Sequence, residues 1–294
     1  MYSSNVCVYS AALRLTSVLC RQEELTPLGY HLAALPVDVR LGKMLLYGAL
    51  FGCVDPITMT AAAISYKSPF VAPLEQRELA DAARRAFSVD ASDHLTTLNA
   101  IAAWRKVRLL DSVPPSSPAT DRLRLFFAPR FATNTAAISS ASGGKHFLSV
   151  ETLQTIEDMA SQFCRQLYDI GFLHEQARAK GGTVHHSGTL ALALANWGPA
   201  DHGRALPGAN RHAGNRRVVA AVLAAGLYPN IARVHRAAGT GKMTFTTGAL
   251  GQQEVHIHPR SVNHDAKTLA ADWLVYHDKA RRTPGCPHSQ RCMC

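Results

Sequence analysis

The chain is 294 residues long, 47% hydrophobic and 18% charged, a balance that excludes an intrinsically disordered chain and leaves room for two or three domains. A formal net charge of +10 favours an anionic partner, nucleic acid first. Seven scattered cysteines, an odd number, fit a reducing compartment better than a disulfide framework.

Residues 6 to 20 are apolar, but Arg14 interrupts the run and no basic region precedes it, so a buried helix is expected rather than a signal peptide. Leu25 to Gly29 reads as a strand or turn, followed by a helical turn and an extended Leu35-Pro36-Val37-Asp38. Pro36 pushes Leu35 out of the α region, and the Asp38 carboxylate suits the N-cap of the helix that follows. Leu41 to Ile64 is the longest apolar stretch, yet Lys43, Asp55 and Pro56 make it a poor membrane span. Asp55-Pro56 is expected to restart a helix that Ser68-Pro69 ends. Glu75 to Phe87 reads as a polar, exposed helix. Ser92 or Asp93 caps another helix, which carries Leu95, Leu98, Ile101 and Trp104 on one face.

Residues 111–146, with Pro114-Pro115 and Ser139 to Gly144, read as a disordered insertion. Helix resumes at Val150 and runs to Gly171, a C-terminal stop. Pro199 to Gly214 is a loop. Val218 to Leu223 is a short helix ending near Gly226, and small strands follow. Ile231 to His235 and Met243 to Thr247 alternate around a Gly239-Thr-Gly241 turn, and Val255 to His258 and Trp273 to Tyr276 are further strand candidates. From Asp201 onward 13 Lys/Arg stand against 5 Asp/Glu, a net +8 in the last third, with eight of the 14 His.

Five stretches, taken in order, carry a family resemblance: Leu25 to Asp38; Arg40 to Phe70 with Leu41-Gly-Lys-Met-Leu45; Ser92 to Asn99 with Trp104; Phe147 through Gln166 to Leu173; and Ala225 to Asn230, Val255 to Asn263 and Trp273 to His277. Together they resemble the C-terminal region of DEAH-box/RHA-type ATP-dependent RNA helicases. The resemblance implies an α+β chain: a mainly α-helical ratchet domain followed by a small, incompletely closed oligonucleotide/oligosaccharide-binding (OB) barrel. Its expected divisions are a winged-helix remnant (1–40), the helicase-associated ratchet domain in two parts (41–110 and 147–198) around the insertion, a loop (199–214), the OB-type domain (215–279) and a non-family tail (280–294).

The family's motor motifs do not occur in this sequence. Gly239-Thr-Gly-Lys242 lacks the earlier glycine of a phosphate loop, since position 236 is arginine, and methionine follows the lysine. No Asp-Glu-x-His quartet occurs. The chain is therefore expected to hold no cofactor and to hydrolyse nothing alone. ATP and magnesium would belong to a RecA-like motor outside it, and its start and end read as those of a fragment. The expected partners are single-stranded RNA, that motor, and regulatory proteins docking on the OB-type domain, in an intracellular setting, cytoplasmic or nuclear. The alternative is a non-catalytic RNA-binding or helicase-docking protein, or an inactive fragment.

For RNA contact the resemblance points to the OB-type domain, where a sheet groove takes single strands by cation contacts and stacking. His258, Arg260, Ser261, Asn263 and His264 follow a strand, where their tips can reach phosphate or ribose. The plainer reading is that His258 and Ser261 satisfy local turn hydrogen bonds. Arg216, Arg217, Arg233, Arg236, Lys242 and Lys279 supply a basic face. Tyr228 and Trp273 can stack on bases, though aromatics in so small a domain more often fill the core. His94 sits at a helix start beside Ser92 and Asp93, too close along the chain to form a catalytic triad with them, and is expected to pack or to touch RNA or motor. Cys286, His288, Cys292 and Cys294 offer four soft ligands, but two of their gaps are a single residue where zinc pairs leave two to four, so no metal site is expected.

Overall fold

A computed structural model describes residues 24–112, 147–173, 208–236, 243–247, 253–266, 268–281 and 291–293. The apolar run at 6–20, most of the 111–146 insertion, the loop from 199 to 207 and the Gly239-Thr-Gly241 turn lie outside them. The chain divides into two compact units: residues 1–57, 163–174 and 212–294, and residues 58–162 and 175–211.

In the first unit, α1 (Pro27–Ala33) begins behind Thr26, whose hydroxyl accepts from the Gly29 amide at 3.0 Å. Helix α2 (Val39–Leu50) begins as its sequence demands: the Asp38 carboxylate accepts from the Arg40 amide at 2.9 Å. Met44, Leu45 and Leu46 are wholly buried. Lys43 is buried as well, its ammonium 5.6 Å from the centre of the Tyr47 ring, and burial lowers its pKa. Helix α3 (Val54–Ser65) starts two residues ahead of Pro56 and ends in the second unit.

The second unit holds a 3₁₀ turn (Leu74–Gln76), α4 (Arg77–Ala86), α5 (Asp93–Ser112) and most of α6 (Val150–Asp169). Ser92 caps α5, its hydroxyl accepting from the Leu95 amide at 3.3 Å, and Ser149 caps α6 in the same way through the Thr152 amide at 3.2 Å. The polar segment expected as one helix from Glu75 is broken, because Pro73 opens a tight turn before α4 begins. Phe70, Phe87, Ala100 and Ala103 form a small core against Leu148. At the far end of α6, Gly171 adopts φ +80°, a left-handed stop open to glycine.

The first unit continues with α7 (Arg216–Leu227), which starts two residues before its apolar run because Asn215 caps it, accepting from the Arg217 amide at 3.1 Å. It packs on α2 through Gly226, where an added Cβ would stand 2.6 Å from Met44 Cβ. A sheet follows: β1 (Ile231–Arg236), β2 (Met243–Thr247), β3 (Gln253–Ile257), β4 (Trp273–Val275), β5 (Lys279–Arg281) and β6 (Arg291–Met293). The spatial order is β4-β1-β2-β3-β6-β5, and among the described residues β4 and β5 do not meet, so the barrel is open. Strand β6 and the last two residues of β5 fall in the stretch 280–294, expected as a tail outside the domain. That stretch lacks an alternating pattern and is recruited by pairing, β6 running parallel to β3. Ala232, Val234, Phe245, Val255 and Leu269 form the sheet's buried side. The fold is thus α+β, helical elements followed by a small unclosed sheet. No described helix is long and apolar enough to cross a membrane.

Candidate nucleic-acid interface

The turn after β3 is built by its own side chains. His258 Nδ1 accepts from the Arg260 amide at 3.1 Å, and Ser261 Oγ accepts from the Asn263 amide at 3.2 Å. His258 and Ser261 therefore shape the loop, as their plainer reading held. Shaping it turns Arg260 and His264 to solvent and leaves Asn263 half-buried. Asn263 and His264 line a cavity of about 270 Å³ together with Met243, Phe245, Ile257, Ala266 and the His256 segment of β3. Polar and apolar residues share its lining, and it is smaller than the usual small-ligand pocket. His256 was legible only as one of two alternating histidines. Nothing local to it signals a cavity, which depends on the register of β2 against β3.

The other expected cations separate into two groups. Arg216 and Arg217 are exposed in the first turn of α7, which holds no acidic residue. Cations there oppose the helix dipole. Arg233 is exposed on β1 and makes no hydrogen bond or ion pair with a described residue; its guanidinium carbon lies 5.8 Å from the centre of the Trp273 ring. Arg236 and Lys279 make polar contacts within the sheet domain. Arg236 pairs with Asp272 at 2.5 Å and donates to the carbonyls of Leu269 and Ala271. The Lys279 ammonium donates to Thr247 Oγ1 at 3.4 Å and Gln253 Oε1 at 3.3 Å. His94, half-buried at the start of α5, belongs to the second unit and not to this assembly.

Lys242, Cys286, His288 and Cys294 lie outside the described residues, as does the side chain of Cys292, although its backbone is in β6. Among the described residues no group of three or more His, Cys, Asp or Glu is placed to hold a metal. Tyr228 and Trp273 are not core residues: they are 43% and 56% exposed. The alternation of Trp273-Leu-Val-Tyr276 explains this for the tryptophan, since Leu274 and Tyr276 pack inward and leave Trp273 on the other side.

Where β4 ends, the backbone carbonyl of His277 accepts from Asn230 Nδ2 at 3.0 Å and from Arg40 Nη1 at 3.4 Å, tying the sheet to the start of α2. Burial first, then the Arg40 charge, lowers the His277 imidazole below its ordinary 6.5. The unfolded chain therefore takes up the proton first as pH falls through about 6.5, and stability drops from there toward the lower folded value. Replacing His277 with glutamine is expected to flatten that decline, read as urea midpoints at about pH 7.5 and about pH 5.5. An unchanged slope would show that His277 is not its source.

Comparison with known proteins gives this geometry its context. Residues 38–97 match the family model of the helicase associated domain (HA2), ratchet-like, and residues 219–285 match that of the oligonucleotide/oligosaccharide-binding (OB)-fold. The chain belongs to the C-terminal region of the DEAH-box/RHA-type RNA helicases. It is 34% identical over 266 residues to the ATP-dependent DNA/RNA helicase DHX36 of Rattus norvegicus, covering 90% of this chain and 22% of the relative. To the DExH-box ATP-dependent RNA helicase DExH1 of Arabidopsis thaliana it is 35% identical over 271 residues, 89% of this chain and 20% of the relative. To the ATP-dependent RNA helicase DHX29 of Homo sapiens it is 30% identical over 262 residues, 88% and 16%. The chain thus spans about a fifth of the length of these helicases.

Proposed function

We propose that the chain is an RNA-binding accessory module of an ATP-dependent DEAH/RHA-type RNA helicase. The observation that carries this reading is the turn after β3, in a domain matched to the OB-fold, where Arg260 and His264 face solvent beside a small cavity that Asn263 helps to line. Arg216, Arg217 and Arg233 add exposed positive charge in the same unit. Such an arrangement holds phosphates by charge and needs no fixed sequence in the strand. In the whole machine the module forms part of the RNA channel. It works with a RecA-like motor, which holds ATP and magnesium, inside the cell.

The experiment is a titration of fluorescently labelled single-stranded RNA with the chain at low salt. Saturable binding that weakens as salt rises is the expected result, because released counterions favour the complex less in concentrated salt. Absence of binding at low salt removes the RNA-binding reading and leaves docking onto a helicase as the alternative.

A further inference from the structure

The sheet has a second side that the turn after β3 does not use. Strand register sets Trp273 opposite Arg233, Arg233 opposite Thr246 and Thr246 opposite Glu254, a row crossing four strands on the side away from the buried core. Behind it His235 stands opposite Thr244, its Nε2 2.8 Å from Thr246 Oγ1. Neighbouring strands are about 4.8 Å apart, and the Arg233 guanidinium carbon lies over the Trp273 ring, 5.8 Å from its centre. A lone exposed tryptophan proves nothing, since single apolar residues on surfaces are common. Here the indole, 56% exposed, is coupled to an arginine that no described carboxylate neutralises.

We propose that Trp273 and Arg233 form a stacking platform for one base of single-stranded nucleic acid, with Arg233 also meeting the adjoining phosphate. The platform rests on the RNA-binding reading above and adds to it a site distinct from the β3 turn. Charge fixes the choice of occupant. Arg233 draws an anion to the Trp273 end of the row, and Glu254 at the other end repels one, so the strand passes over β4 and β1 rather than along the whole face. Bases of any identity stack on an indole, so the platform contributes affinity without sequence preference.

The test compares the whole chain with its Trp273→Ala, Trp273→Phe and Arg233→Ala variants, binding labelled oligouridylate and an abasic strand of the same length. Trp273→Ala is expected to weaken oligouridylate binding about tenfold, the scale of one lost base–aromatic stack, while Trp273→Phe stays within about threefold of the parent. Neither tryptophan variant changes binding of the abasic strand. Arg233→Ala weakens both strands and lowers the salt slope by about one contact. If the parent binds oligouridylate and Trp273→Ala binds it equally well, the platform is wrong while the RNA-binding module stands. If the parent binds neither strand at low salt, both fall. Equal loss of the two strands in Trp273→Ala would mean that the indole supports the sheet rather than a base, which also overturns the platform.

Discussion

Replacing Glu157 with alanine is expected to destabilise the second unit by about 3–5 kcal/mol. Glu157 Oε1 accepts from Arg105 Nε at 2.9 Å, and the two side chains are only 9% and 8% exposed. The guanidinium also reaches Met59 Sδ at 3.3 Å through Nη2. Removing the carboxylate takes a charged acceptor from a buried guanidinium, a loss that the Met59 thioether is too weakly polar to make good. Because domain stabilities are typically 5–15 kcal/mol, a loss of this size takes much of the margin. Glu157→Gln, which keeps an acceptor, should cost less. Replacing both partners by apolar residues of similar volume should recover most of the loss, since the ion pair itself is expensive to bury. The check is urea unfolding followed by circular dichroism. A Glu157→Ala variant as stable as the parent would show that the pair is solvated.

Gly226→Ala is the second large effect, and here two terms oppose each other. In an exposed helix the change stabilises by up to about 1 kcal/mol through helix propensity. In α7 the new methyl would stand 2.6 Å from Met44 Cβ and 3.0 Å from Met44 Cα. The second of these is backbone and cannot rotate away, so α7 must move off α2. Overpacking of this kind costs about 1–3 kcal/mol, enough to outweigh propensity and give a net loss. Gly214 is the control: nothing lies within 4 Å of an added Cβ there, and its alanine variant should unfold at the parent's midpoint. A Gly226→Ala variant more stable than the parent would contradict the close crossing of α2 and α7.

Much of this architecture is legible in the residues. The Asp38 and Ser92 caps, the Gly171 stop and the alternation of Ile231 to His235 each appear where local chemistry places them. What escaped depends on partners distant in sequence. Strands β5 and β6 have no pattern of their own and exist through pairing with each other and with β3. Helix α7 opens on two arginines that helix electrostatics disfavours, so an apolar count starts it too late. In the candidate site the polar turn from His258 to His264 was visible as a cluster, whereas its cavity was not. Met243 and Phe245 reach that cavity only through the register of β2 with β3. Arg236 and Lys279 look like any other basic residue in sequence, and only the structure shows their carbonyl, carboxylate and amide partners.

The most direct test of the RNA-binding reading is the salt dependence of single-stranded RNA binding by the whole chain. With three or four exposed arginines meeting phosphate, the logarithm of the affinity should fall against the logarithm of salt with a slope of about −2 to −3. Between about 50 and about 200 mM salt that is a roughly 20- to 60-fold loss. Binding that is absent at the lower salt, or that does not change across the range, would contradict a module that holds RNA by its basic OB-type face.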